Sequence, residues 1–180
     1  MPFMDHFLEE VVVKRKPFMQ NLAHVFANIF MIISAIMGVF YLQLIFMQFN
    51  IVVLIITVLF LGMAILLYLF RDRLKTEYEY TFTNGDLDFA QVYNNQKRKS
   101  LGTMRVKNVE SFGPVDSEGF RKLINMPGIK RKNWFLNREA NLYFFYYQKE
   151  NSEKHMIIFE PSEEMVEYIR KYLPRGVYLK

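Results

Sequence analysis

Polar and apolar positions along the chain follow three different rhythms. From Pro17 to Phe70 there is no Asp, Glu, Lys or Arg in 54 residues. From Thr76 the pattern changes within a few residues to strict alternation, with Tyr78, Tyr80 and Phe82 interleaved with Glu77, Glu79 and Thr81. Such a period of two marks a strand with one buried face. Near the C-terminus a helical period takes over: Met165, Ile169, Tyr172 and Leu173 recur at i, i+4, i+7 and i+8.

The charge-free run predicts two membrane-spanning helices. A bilayer core about 30 Å thick takes roughly 20 apolar residues in a helix. The run accommodates two, about residues 22–44 and 51–70, joined by a short break at Gln48 and Asn50. A cleaved signal peptide fits poorly, because its apolar region would span only about 7–15 residues and end at small residues. Lys14, Arg15 and Lys16 precede the first span. Arg71, Arg73 and Lys75 follow the second, and the intervening loop carries no cation. This distribution predicts a multi-pass protein of the cytoplasmic membrane with both termini on the cytoplasmic side.

The first predicted span is two-faced. Asn21, His24, Ala27, Asn28, Met31, Ser34, Ala35 and Gly38 fall on one side, and large apolar residues such as Phe26, Ile33 and Phe40 on the other. Small and polar residues suit close helix contact, so His24, Asn28, Ser34 and Gly38 are expected to form the transmembrane packing face. A proton or ion site is the competing reading of His24 and Asn28. It is disfavoured because no charged residue accompanies them. Ahead of the spans, residues 1–18 read as a cytoplasmic amphipathic segment. Phe3, Met4, Phe7, Leu8 and Val11 lie at helical spacing, compatible with a helix on the leaflet or a short segment packed on the following domain.

Residues 76–180 read as a separate β domain. Asn84-Gly85 is a strong two-residue hairpin turn, and Leu87, Phe89 and Tyr93 continue the alternation beyond it. Further strands are predicted at "SLGTM", "VKNVESFG", "KRKNWFLN", "NLYFFYYQ" and "KHMIIFE", with a helical turn near residues 120–125. Ser162 is a good N-cap for a terminal helix over 162–173, with Glu163 and Glu164 in its first turn.

The expected order, four strands, then three, then a helix, resembles the pleckstrin-homology (PH) superfold. Combined with a two-helix hairpin, it resembles the bacterial PH-like membrane proteins, and "FLEEVVVKRK" with the overall size is similar to small membrane proteins of Firmicutes. The resemblance implies a seven-stranded barrel or sandwich closed by a C-terminal helix. It also implies a binding role.

Composition narrows the chemistry. The chain has 180 residues, no cysteine, and 23 basic against 18 acidic residues. The absence of cysteine removes disulfides, thiol nucleophiles and thiolate metal sites. His6, His24 and His155 lie in separate segments, so no metal site is expected. No phosphate-binding glycine loop occurs, and no cofactor or small-molecule substrate is implied. Nucleic acid is not an expected partner, because much of the positive charge sits at the ends of the apolar run. The expected partners are the lipid bilayer, and a second copy or another membrane protein.

Two surface features carry the functional expectation. The strand at residues 142–147 is apolar or aromatic throughout, and Tyr143, Phe145 and Tyr147 are expected as its outward, protein-interface face. Lys130, Arg131 and Lys132 are candidates for contact with anionic lipid. The protein is thus expected to be non-enzymatic, presenting a cytosolic PH-like domain for protein binding or self-assembly. An accessory subunit of a transporter or channel, and an anionic-lipid sensor, are the alternatives.

Overall fold

The computed structural model describes residues 6–149 and 152–179. The chain folds into two compact units, one of residues 1–15, 77–92 and 98–180, the other of residues 16–76 and 93–97. The predicted positions Phe3 and Met4 lie outside the described residues.

The hairpin unit is built from α1 (Phe18–Met47) and α2 (Ile51–Phe70), which are packed on one another. Both are long and apolar enough to cross a membrane. Asn50 starts α2 sharply: its side chain accepts the Val52 N–H at 2.8 Å, a standard N-cap. A 3-10 turn, Arg71–Leu74, follows. The turn residues 93–97 belong to the same unit. The Asn94 N–H donates to the Lys75 carbonyl at 2.7 Å, and Lys97 Nζ lies 3.6 Å from Asp72.

The other unit contains two four-stranded sheets. The first has the order β1 (Phe7–Val12), β2 (Thr76–Thr83), β3 (Asp86–Tyr93), β4 (Lys97–Arg105). The second has the order β5 (Ser111–Pro114), β7 (Tyr143–Gln148), β8 (Lys154–Phe159), β6 (Lys130–Trp134), with β6 parallel to β8. Helix α3 (Glu118–Ile124) and helix α4 (Glu163–Tyr172) complete it. Ser162 caps α4 by accepting the Met165 N–H at 3.1 Å, and Met165, Val166 and Ile169 are buried in the main core, as the helical period requires.

Three expectations are settled or corrected here. The N-terminal segment, left open between a helix on the leaflet and a segment packed on the following domain, is a strand packed on that domain. It pairs antiparallel with β2, from Phe7 opposite Thr83 to Val12 opposite Tyr78. The valine-rich end of "FLEEVV" is well suited to a strand, and pairing turns Leu8 and Val12 into the main core. Consequently residues 76–180 are not the whole β domain: β1 supplies its first strand, and the hairpin is inserted between β1 and β2. Third, there are eight strands among the described residues, in two sheets and with no closed barrel, rather than seven. "SLGTM" lies inside the single long β4. "VKNVESFG" breaks at a 3-10 turn, Val106–Asn108, so that its second half joins the other sheet as β5.

Two glycines explain local geometry. Gly85, in the β2–β3 turn, has a φ of +96°, and a Cβ there would come within 2.7 Å of the Tyr172 ring. Gly38 on α1 lies so close to α2 that a Cβ would come within 2.5 Å of Leu61. That contact brings the two helix backbones together as small residues allow.

Candidate functional site

The main core of the two-sheet unit is aromatic. Tyr80, Phe82, Phe89, Phe112, Phe145 and Phe159 are fully or almost fully buried. Phe145 stacks on Phe159 with ring centroids 4.9 Å apart, and on Phe112 at 4.8 Å. Tyr80 is a polar pin at its centre. Its hydroxyl donates to the Trp134 carbonyl on β6 and accepts the Glu160 N–H at 3.3 Å. Burial raises its pKa, because the ionised phenolate would be desolvated.

This geometry removes Phe145 from the interface expected on β7. Phe145 is 0% exposed and belongs to the core, so it presents nothing outward. Tyr143 and Tyr147 lean on that same core and are half-buried. Phe144 and Tyr146, on the opposite face, are buried beneath α3 in a second cluster with Phe120. The strand is apolar on both faces because both faces are covered. The tyrosine hydroxyls follow the same rule: Tyr143, Tyr146 and Tyr147 all have raised pKa values, burial being the principal cause. Tyr143 and Tyr147 of the expected set each reach an open surface. Tyr143 borders grooves with Asn141 and Ala140. Tyr147 lines a groove of about 760 Å³ with Asp86, Thr103, Arg105, Asn108 and Lys149.

Both basic triplets lie on the outermost strands. Lys97, Arg98 and Lys99 open β4, one of the two edge strands of the first sheet. Lys130, Arg131 and Lys132 lie on β6, at the edge of the second. Charged residues on edge strands discourage uncontrolled pairing. The expected lipid-contact triplet is also engaged locally. Lys130 pairs with Glu153, Arg131 donates to the Ile124 carbonyl, and Lys132 sits 5.0 Å from the centre of the Trp134 ring.

Two of the four edge strands, β4 and β5, differ in openness. β4 is nine residues long, and only Met104 is buried. β5, by contrast, is capped along its outer edge by the C-terminal tail, through Phe112 N–H to the Val177 carbonyl and Leu179 N–H to the Phe112 carbonyl. The segment after β1 is clamped by Asn137, whose side chain donates to the Val13 carbonyl and accepts the Arg15 N–H, both at 2.9 Å. Asn137 is itself held by the Glu160 carboxylate. Glu10, beside it, accepts the Ser162 N–H. Its pKa is raised, mainly by burial. The alternation marks Tyr80 as buried but not its hydrogen bonds, and Asn137, a lone loop asparagine, carries no pattern in the sequence.

The hairpin packs through small side chains. Ala27, Ser34 and Gly38 of α1, with Thr57 and Ala64 of α2, are the buried residues of the pair. Asn28 accepts a hydrogen bond from Arg71 at 2.6 Å and donates to the His24 carbonyl at 2.8 Å. Asn28 is thus engaged within the hairpin. Among the described residues, no cluster of His, Asp and Glu could hold a metal.

A family model described as a bacterial PH-like domain (DUF6106) matches residues 4–179. Comparison with curated proteins and with solved structures finds no match. The matched span begins before β1 and runs past α4, so it takes in the hairpin as well as both sheets. The chain belongs to this family of bacterial PH-like domain proteins.

Proposed function

We propose that the protein is a non-enzymatic, two-span protein of the cytoplasmic membrane that holds its PH-like domain at the cytoplasmic face as a platform for protein binding. The flanking cations and the cation-free loop support that orientation. The observation that carries the binding role is β4. It is one of the two edge strands of its sheet and solvent-exposed along most of its nine residues. It also adjoins the open groove that includes Thr103, Arg105 and Tyr147. An extended segment of a second chain can add to such an edge through main-chain hydrogen bonds, with the groove taking its side chains. The binding surface is thus moved from the covered aromatic strand to β4.

A photoreactive residue in place of Thr103, activated in native membranes, tests this. The reading expects a discrete cross-linked species, either a dimer of the chain or one defined membrane partner. The same residue placed at exposed Glu118 on α3 should give none. Strictly monomeric protein with no product from position 103 contradicts the platform.

A further inference from the structure

The hairpin unit has an uneven charge distribution. It contains five cations, Lys16, Arg71, Arg73, Lys75 and Lys97, against one carboxylate, Asp72, for a net charge of +4. None of these charges lies within α1 or α2. All belong to the segments at the start of α1, after the end of α2, and in the β3–β4 turn.

The single carboxylate is already neutralised. Asp72 is buried. Lys97 approaches it at 3.6 Å, Arg71 at 3.9 Å, and Asn94 Nδ2 donates to it at 3.3 Å. Arg73 and Lys16 are exposed, and Lys75 is half-buried. Among the described residues no carboxylate lies within ion-pair reach of these three. Arg73 lies over the Phe70 ring, 4.7 Å from its centre, and Arg71 lies 5.2 Å from the centre of the Tyr68 ring. Aromatic residues beside cations at the end of an apolar helix suit the headgroup layer, where ring and charge can each meet their preferred surroundings.

Membrane orientation explains cations that adjoin a span in sequence. It does not explain Lys97, which lies 26 residues after Arg71. Lys97 reaches this cluster only because the folded β3–β4 turn is tied to the segment after α2 by Asn94. By occupying Asp72, it frees the remaining cations from internal compensation. From this we infer that Lys16, Arg73 and Lys75 form a docking surface for anionic phospholipid headgroups, so that the protein gathers acidic lipid around the hairpin. The inference rests on the proposed membrane insertion of α1 and α2. It places lipid contact at these cations and not at Lys130, Arg131 and Lys132.

The test uses the full chain reconstituted in vesicles of equal parts phosphatidylcholine and phosphatidylglycerol. After gentle detergent extraction and purification, mass spectrometry measures the ratio of the two retained lipids. The wild type should retain the anionic lipid several-fold in excess at low salt and lose that preference at about 0.5 M salt, where screening is short-ranged. Arg73→Gln/Lys75→Gln should reduce the excess, by up to about fivefold for each cation removed. Lys75→Gln alone is the milder variant should the double change impair insertion. The triple change Lys130→Gln/Arg131→Gln/Lys132→Gln should leave the excess intact. A retained ratio near one overturns the inference, as does an excess that is lost in the triple variant but kept in the other two. Release of the chain from the vesicles by alkaline carbonate would instead overturn the membrane insertion on which the inference rests.

Discussion

The two units bury opposite kinds of residue. In the two-sheet unit the interior holds the largest side chains, Tyr80, Phe82, Phe89, Phe112, Phe145 and Phe159. In the hairpin the interior holds some of the smallest, Ala27, Ser34, Gly38, Thr57 and Ala64, while Phe26, Ile33, Ile36 and Phe40 point outward. The contrast is the one expected if the hairpin crosses a membrane, as proposed, while the sheets lie in water. In water, apolar burial drives folding in proportion to area. In lipid that drive disappears, and close backbone approach with hydrogen bonds takes over. Arg71 to Asn28 is such a bond. One chain therefore follows two rules, and the change falls in the short connections on either side of the hairpin.

The largest expected effect on this contrast is Ile169→Asp. Ile169, on the inward face of α4, is fully buried in the main core, and an unpaired charge there costs several kcal/mol, a large part of the about 5–15 kcal/mol that typically holds a domain together. Circular dichroism and thermal melts should show loss of the β unit with the hairpin helices retained. Next is removal of β1. Residues 76–180 alone lack the strand that contributes Leu8 and Val12 to the core, each worth about 1.5–3 kcal/mol where fully buried. Because Val12 lies opposite Tyr78, a short turn can join residues 6–13 directly to residue 76. That chimera should unfold cooperatively at a clearly higher temperature than 76–180. Equal melting of the two would mean that β1 is not part of the core.

A matched pair sharpens the comparison. Phe145→Ala should cost the two-sheet unit about 3–5 kcal/mol. Ile36→Ala, on the outward face of α1, should change hairpin stability in detergent or lipid by a small fraction of that. Equal costs would show that both units rely on the same kind of core.

Tyr80→Phe should cost about 1–3 kcal/mol by leaving the Trp134 carbonyl and Glu160 N–H without their partner. Its signature is in the pH dependence. The folded pKa is raised, so the folded state keeps its proton after the unfolded chain has lost it. The contribution of Tyr80 is therefore full below about pH 10 and falls as pH rises above that. Urea titrations between pH 8 and 11 should show a shallower decline for Tyr80→Phe than for the wild type.

Much of this contrast was legible in the sequence. The hairpin followed from composition alone, and its internal face from the placement of Asn28, Ser34 and Gly38. The β2–β3 hairpin and α4 followed from period and capping residues. What was hidden required tertiary pairing. "FLEEVV" satisfies a helical stripe as well as a strand, and only the open edge of β2 decides between them. β7 carries aromatic residues on both faces, and the cover that α3 provides for Phe144 and Tyr146 is invisible in the strand itself. "SLGTM" marks part of β4 as a strand, but the full length of β4 and its openness are hidden, because it lacks alternation where neither face is well buried.

The pairing of β1 with β2 makes the most direct demand on the whole account, because it requires the chain before α1 and the chain after α2 to lie on one side of the membrane. The protein has no cysteine, so single cysteines can be introduced at Glu9, Gln48, Lys107 and Arg175 and probed with an impermeant thiol reagent. In intact cells only position 48 should react, and positions 9, 107 and 175 should react after lysis. Labelling of position 9 and position 107 from opposite sides of the membrane would contradict the insertion of the hairpin between β1 and β2, and with it the proposed presentation of the PH-like domain at the cytoplasmic face.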